Sequence, residues 1–223
     1  MCGRFTLRTP AREMATLFDV TEPIDLPLRF NIAPTQSVAV VRCRENTAAR
    51  ELAMLHWGLI PAWAKDAKIG NRMINARSET AATKPSFRSA FRRRRCLIPA
   101  DGFYEWQQTP DGKQPFYIRL SNEQPFGFAG LWERWDRGDE PISSCTILTT
   151  EANEQLGPLH DRMPVIVKPE DYARWLDPAC ERAEELMPLL RPYANDALVA
   201  LPVSRVVNSP RNDRPECIEP LSE

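Results

Sequence analysis

The sequence predicts an α+β fold. It reads as a single domain over residues 1–223, built on a mainly antiparallel, curved or barrel-like β-sheet with peripheral helices. Three observations carry this. Short runs rich in β-branched and aromatic residues recur along the chain, each bounded by turn residues. The chain holds 21 prolines but only 9 glycines, and proline at roughly twice its ~5% average frequency reads as turns and stiff loops. No internal repeat or linker interrupts the sequence, and 43% apolar against 26% charged residues is a composition that folds around an ordinary core.

The elements follow in order. "TPAREMATLFDV" opens with Thr9 as a cap and Pro10 behind it, and spaces Met14, Leu17 and Phe18 as one helical face. "SVAVVRCRE" and "ELAMLHWGLI" read as two strands joined by a short polar loop, with His56 packed in the second. "INARSET" reads as an extended segment that alternates Asn75, Arg77 and Glu79 on one side. "KPSFRSAFRRRR" predicts a short helix over 85–94, whose Arg92–Arg95 run suits either a nucleic-acid patch or a solvated helix end. Strands around an Asp111-Gly112 turn account for residues 96–120. "PFGFAGLWERW" and "SSCTILTTEA" continue the strand pattern, and "NEQLGPLHDRMPVIVK" gives a turn, a loop and a strand. "PEDYARWLD" and "AEELMPLLRPY" are helical, and "DALVALPVSRVVN" returns to strand.

Composition narrows the function. No stretch approaches the ~20 apolar residues of a membrane helix, and the N-terminus lacks a secretory pattern. The expectation is a cytoplasmic protein, nucleoid-associated if bacterial. Six cysteines without a C-x-x-C and only two histidines argue against a zinc site or a disulfide framework. No metal or cofactor is expected. Residues 1–100 hold 17 Lys and Arg against 8 Asp and Glu, whereas residues 101–223 hold 12 against 22. That asymmetry suits either a basic face for phosphates or an accident of order that folding mixes.

The chemistry starts at Cys2. If Met1 is trimmed, as a small second residue permits, Cys2 carries an α-amine and a thiol on adjacent carbons. The amine titrates near ~7.7–8.0, so a useful fraction is neutral near neutrality. It can attack an aldehyde to form an imine, and the thiol can then close a five-membered thiazolidine. Glu105, between Tyr104 and Trp106, reads as a partly desolvated carboxylate suited to proton transfer. His160, in "LHDRMP", is a residue type that exchanges protons near neutral pH.

Seven segments give these residues a common context: "MCGRF", "FNIAPTQ", "HWGLIPAWAKD", "NRMINARSETA", "CLIPADGFYEW", "LTTEANEQLGPLHDRMPVI" and "LPVSRVVNSP". In order, they resemble the motifs of the SRAP (SOS-response-associated peptidase) family, from Cys2 to about Asn208. The resemblance implies an SRAP-like domain that shields abasic sites in single-stranded DNA during the DNA-damage response. Cys2 would form a thiazolidine with the opened sugar. Asn75 would orient the amine and sugar, Glu105 would shuttle protons, and His160 would assist sugar opening. Arg4, Arg77 and Arg162 match backbone-contacting positions, Trp63 would act as a wedge or stacking platform, and Pro34 and Thr149 match lining positions. Lys84 and Arg88 are added as phosphate contacts. Some relatives carry a second Trp after the first, where this chain has Ala64.

The implied partner is single-stranded DNA containing abasic sites, met by a monomer. Two other readings remain open at this point. An N-terminal-nucleophile peptidase or amidase would use the amine as base for the thiol, and self-removal of Met1 would fit it. A non-covalent reader of single strands or modified bases would need the basic groove and Trp63 but not Cys2.

Overall fold

The structure is a computed structural model that describes residues 2–22, 24–44 and 49–221. Its strands are β1 (Phe5–Leu7), β2 (Arg29–Ile32), β3 (Ser37–Cys43), β4 (Arg50–Trp57), β5 (Asn75–Arg77), β6 (Arg95–Ala100), β7 (Gly102–Thr109), β8 (Gly112–Leu120), β9 (Phe126–Trp135), β10 (Ile142–Glu151), β11 (Arg162–Pro164), β12 (Ile166–Val167) and β13 (Leu198–Pro202). Among the described residues, five short α-helices flank them: α1 (Ala11–Phe18), α2 (Ser78–Ala81), α3 (Arg88–Arg93), α4 (Tyr172–Leu176) and α5 (Ala183–Leu186). The α+β class expected from the sequence is what the chain adopts. Among the described residues, no helix is long and apolar enough to cross a membrane.

Five strands, in the order β10-β4-β3-β6-β9, close on themselves through β9–β10 pairing to form a barrel. Every pairing around the ring is antiparallel except β4–β10, which is parallel. The continuous apolar run of β9 reflects its place: all but Glu133 and Arg134 of its residues are apolar or glycine, and only Arg134 is exposed. A second, wholly antiparallel sheet has the order β13-β8-β7-β1-β2. The Phe5 ring, from β1 of that sheet, meets Trp57 edge-on at 5.2 Å and Phe128 at 5.9 Å, joining sheet and barrel in one core.

At one end of the barrel β9 and β10 part company. β10 pairs with β9 as far as Ile147, then with β11 from Thr149 to Glu151. On its other side it takes up β5, with Ile147 opposite Asn75 and Thr149 opposite Arg77. This splayed end brings Asn75, Arg77, Thr149 and Arg162 together from three segments distant in sequence.

Several local expectations are corrected. Thr9 does not cap α1: the cap position is Pro10, without a side-chain bond, and the Thr9 hydroxyl donates to Asp101 instead. The extended reading of "INARSET" stops at Arg77, because Ser78–Ala81 is helical and Glu79 leaves the strand. The β7–β8 hairpin turns on Pro110 and Asp111, one residue earlier than expected, with Thr109 opposite Gly112. Gly112, at φ 107°, is the first residue of the returning strand. β3 and β4 form the expected antiparallel pair, and residues 45–48 of their loop lie outside the described residues.

The arginine run is divided by burial. Arg95 is 2% exposed, and its guanidinium donates to the carbonyls of Phe91, Arg92, Trp175 and Asp177, capping the end of α3 from within. Arg94 pairs with Glu133, while Arg92 and Arg93 stand in solvent and pair with Glu181. Neither a uniform patch nor a solvated helix end describes all four residues.

Candidate active site

The N-terminal segment enters the molecule along β1, between β7 and the edge strand β2 of the five-stranded sheet. Phe5 pairs with Phe103 of β7 and with Ile32 of β2, so the residues just before it are laid against Glu105 and the splayed end of β10. Cys2 is fully buried. Its carbonyl accepts a 2.8 Å hydrogen bond from Asn75 Nδ2, and its thiol lies 3.9 Å from the Arg4 carbonyl. Asn75 Oδ1 is buried and has no hydrogen-bond partner among the described residues. Burial pushes the Cys2 thiol well above its ordinary range, and the nearby Glu105 carboxylate pushes it further.

Glu105 is 4% exposed. Burial raises its carboxyl, and His160 acts in the opposite direction. Strand alternation sends Tyr104 and Trp106 to the other side of the sheet, where Tyr104 packs on Tyr117 and Val203 with Trp106 against them. Glu105 shares its face with Phe103 and the main core. The electrostatic influence of Glu105 on Cys2, and of His160 on Glu105, sets the three groups in one neighbourhood.

His160 sits in the turn before β11, its N–H bonded to the Leu156 carbonyl at 3.0 Å. Its Nδ1 accepts the backbone N–H of Arg162 at 2.9 Å. The Asp161 carboxylate also lies 2.8 Å from Nδ1, but Asp161 is 85% exposed, and one nitrogen cannot accept and donate at once. The Arg162 N–H is the fixed partner, so the neutral ring carries its proton on Nε2.

Glu105 and His160 line an open cleft of about 520 Å³, together with Arg4, Trp106, Lys113 and Asn208. Arg4 is tied down rather than free. It donates to Asn31 Oδ1 at 2.9 Å and to the carbonyls of Val207 at 2.8 Å and Asn208 at 3.3 Å, and it lies 5.9 Å from the Trp106 ring. Trp106 Nε1 donates to Asn208 Oδ1 at 2.7 Å. Asn31, fully buried, donates from Nδ2 to the carbonyls of Val207, Ser209 and Asn212. The segment 207–213 is thereby strapped across the N-terminal strand to form one wall of the cleft. Sequence reasoning gave no role to Asn31, Lys113 or Asn208, and gave Trp106 only that of shielding Glu105. Asn31, Trp106 and Asn208 lie inside quoted motifs, and that was the available signal.

The remaining expected site residues fall into two groups. Arg162 is bidentate to Glu79 at 2.7 and 2.9 Å and donates to the Thr149 carbonyl at 2.6 Å, and Thr149 itself is buried, its hydroxyl 3.5 Å from the Ala76 carbonyl. The Arg162 hydrogen bonds hold the Glu79 carboxyl below its ordinary range. Arg77, Lys84 and Arg88 are exposed. Trp63 is 52% exposed and its Nε1 reaches the Pro85 carbonyl at 3.5 Å. The Trp63 loop leaves β4 through Gly58, which sits at φ 141° and so close to Gly70 that an added Cβ would lie 2.6 Å from its carbonyl oxygen. Pro34 is half-buried in the turn before β3, where the Thr35 N–H bonds the Trp57 carbonyl.

The sequence signature described as SOS response associated peptidase (SRAP) matches residues 1–210. The abasic site processing protein YoqW of Bacillus subtilis is 43% identical over 98% of this chain and 99% of its own length. The abasic site processing protein HMCES of Gallus gallus is 35% identical over 86% of this chain and 66% of its own length. An X-ray structure of a protein from Bacteroides thetaiotaomicron superposes with a TM-score of 0.87 at 25% identity, over 99% of this chain and 100% of that one. With its motifs matched in order from Cys2 onward and its fold shared, the chain belongs to the SRAP family.

Proposed function

We propose that this protein processes abasic sites in single-stranded DNA by forming a covalent thiazolidine through Cys2 once Met1 is removed. One observation carries the reading: the Cys2 backbone is held by Asn75 beside the buried carboxyl of Glu105. The names of the YoqW and HMCES relatives supply the substrate class.

The steps follow from the groups present. An abasic deoxyribose opens to an aldehyde, assisted by a proton from His160. The neutral Cys2 amine adds to the carbonyl carbon, and the open acceptor of Asn75 Oδ1 orients that amine. A carboxyl raised by burial keeps its proton long enough to hand it to the departing hydroxyl, so water leaves and an imine forms. A thiol raised by burial keeps its own proton and needs a base to attack. Glu105, now a carboxylate, takes that proton as sulfur bonds to the carbon of the protonated imine, and the C=N electron pair returns to nitrogen to leave a neutral ring N–H. Exposed Arg77, Lys84, Arg88 and Trp63 would meet the strand around the lesion, Pro34 and Thr149 would line its approach, and Arg4 and Arg162 would meet it while holding their protein partners.

The test is a denaturing gel of the protein with an abasic oligonucleotide, alongside intact mass. Wild type is expected to start at Cys2 and to give a heat-stable adduct, and Cys2→Ala none. Cys2→Ser keeps the amine and loses ring closure, so it should yield an adduct only when borohydride reduces the imine, with more strand cleavage. A fully active preparation that retains Met1, or wild-type adduct from Cys2→Ser without reductant, rejects the thiazolidine.

A further inference from the structure

The α3 surface is cationic beyond what its neighbours neutralise. A cleft of about 650 Å³ is lined by Ala82, Arg88, Ser89, Arg92, Arg93 and Arg94. Arg94 is matched by Glu133, but Arg92 and Arg93 share the single carboxylate of Glu181, at 2.8 Å each. Arg88 has no ion pair among the described residues. Four cations therefore face two carboxylates. Arg92 and Arg93 are 61% and 65% exposed, and exposed ion pairs of this kind contribute little, so an incoming anion replaces the carboxylate at small cost. Ser89 accepts a bond from Arg94 at 3.0 Å, which leaves its hydroxyl hydrogen for another acceptor.

The cleft also lies close to two residues proposed to meet DNA, Trp63 and Lys84. Trp63 rests on Pro85, and the Lys84 carbonyl accepts the Arg88 N–H at 2.8 Å, one turn before Arg92. Successive turns of α3 advance by about 5.4 Å, so a line of cations runs away from Trp63 along the helix.

We infer that α3 carries the phosphodiester backbone of single-stranded DNA beyond the lesion, with Arg92 and Arg93 taking phosphates and Glu181 holding both arginines until a strand displaces it. Guanidinium groups bind phosphate oxygens bidentately, and a row of them reads backbone without reading bases. The inference rests on the proposed DNA reading, and deepens it by naming a second, sequence-independent binding region.

Two variants test it, using fluorescence anisotropy with a long lesion-free single strand, and gel crosslinking with a short abasic oligonucleotide that spans only the lesion and its immediate neighbours. Arg92→Ala combined with Arg93→Ala is expected to weaken the long strand by several-fold to about tenfold. It should also flatten the log–log salt dependence by about 0.7 for each phosphate left without its arginine. Short-oligonucleotide crosslinking should not change. Glu181→Gln should tighten the long strand by several-fold, a gain that misfolding cannot produce. An unchanged salt slope, equal losses on long and short probes, or no gain from Glu181→Gln overturns the inference. If wild type fails to crosslink the short oligonucleotide, the proposed reaction falls instead, and lesion-free binding still decides the α3 surface.

Discussion

Glu105 shows how a residue costly to the fold can suit the proposed chemistry. Its native carboxyl is raised above the unfolded value, so the folded protein binds more protons than the unfolded chain between those two values. Stability from this group is greatest below the unfolded pKa and is lost as pH rises through the folded one. Glu105→Gln keeps the shape and carries no buried charge. Its melting temperature is expected to exceed wild type at pH 7.5 and to converge with wild type in acid, while crosslinking slows by about 10²–10⁴-fold, typical of lost general acid–base help. A variant no more stable than wild type at neutral pH would contradict the buried charge. Glu105 itself was legible in the sequence, but the reason for its desolvation was not. Neighbouring aromatics suggested it, whereas the alternation of β7 turns them to the opposite face and leaves Phe103 and the core to do it.

At the scale of elements, the strap over residues 207–213 depends on Asn31. The Asn31 amide supplies donors to three carbonyls and an acceptor to Arg4, with two hydrogens shared among the three. Asn31→Ala strands several buried polar groups, each costing about 1–3 kcal/mol. A loss of at least about 3 kcal/mol in urea unfolding is expected from that sum, together with slower crosslinking as the Asn208 wall loosens. Asn31→Asp keeps the acceptor and loses the donors, and should fall between the two. An alanine variant as stable as wild type would remove the strap from the account of the site. Nothing local in "RFNIAP" predicts this, because the bonds of Asn31 close across 176 to 181 residues. Short elements failed in sequence for a related reason. Thr9 had the chemistry of a cap, but the Asp101 carboxylate claimed its hydroxyl, and tertiary bonding won over local preference.

Over the whole molecule, the charge imbalance between the two halves of the chain is partly consumed internally. Arg8 pairs with Asp101, Arg29 with Asp213, Arg94 with Glu133, and Arg92 and Arg93 with Glu181, each joining a basic first half to an acidic second half. The exposed remainder, including Arg77, Lys84 and Arg88, is what DNA could meet. The fold class was readable because strands and turns announce themselves locally; barrel closure through a parallel β4–β10 pair was not, since pairing partners carry no local mark. Trp63 stands out from the surface beside α3, a position from which it can occupy the space of an opposing strand. Abasic single strands are therefore expected to crosslink faster than a duplex with the same central lesion, and Trp63→Ala to slow the single strand. Equal rates on both substrates would remove the wedge.

The placement of β1 between β7 and β2 bears on how the protein is born. Strand β1 lies beside β7, which begins only at Gly102, and Arg4 finds its last carbonyls only at Val207 and Asn208. At about 5–20 residues per second, the thiol end waits many seconds for its neighbours. Asn75 and Glu105 are synthesised well before the wall that encloses them, so a nascent chain holds Cys2 without its finished surroundings. Translation itself delays closure of the cleft, because its wall is not made until Val207 and Asn208.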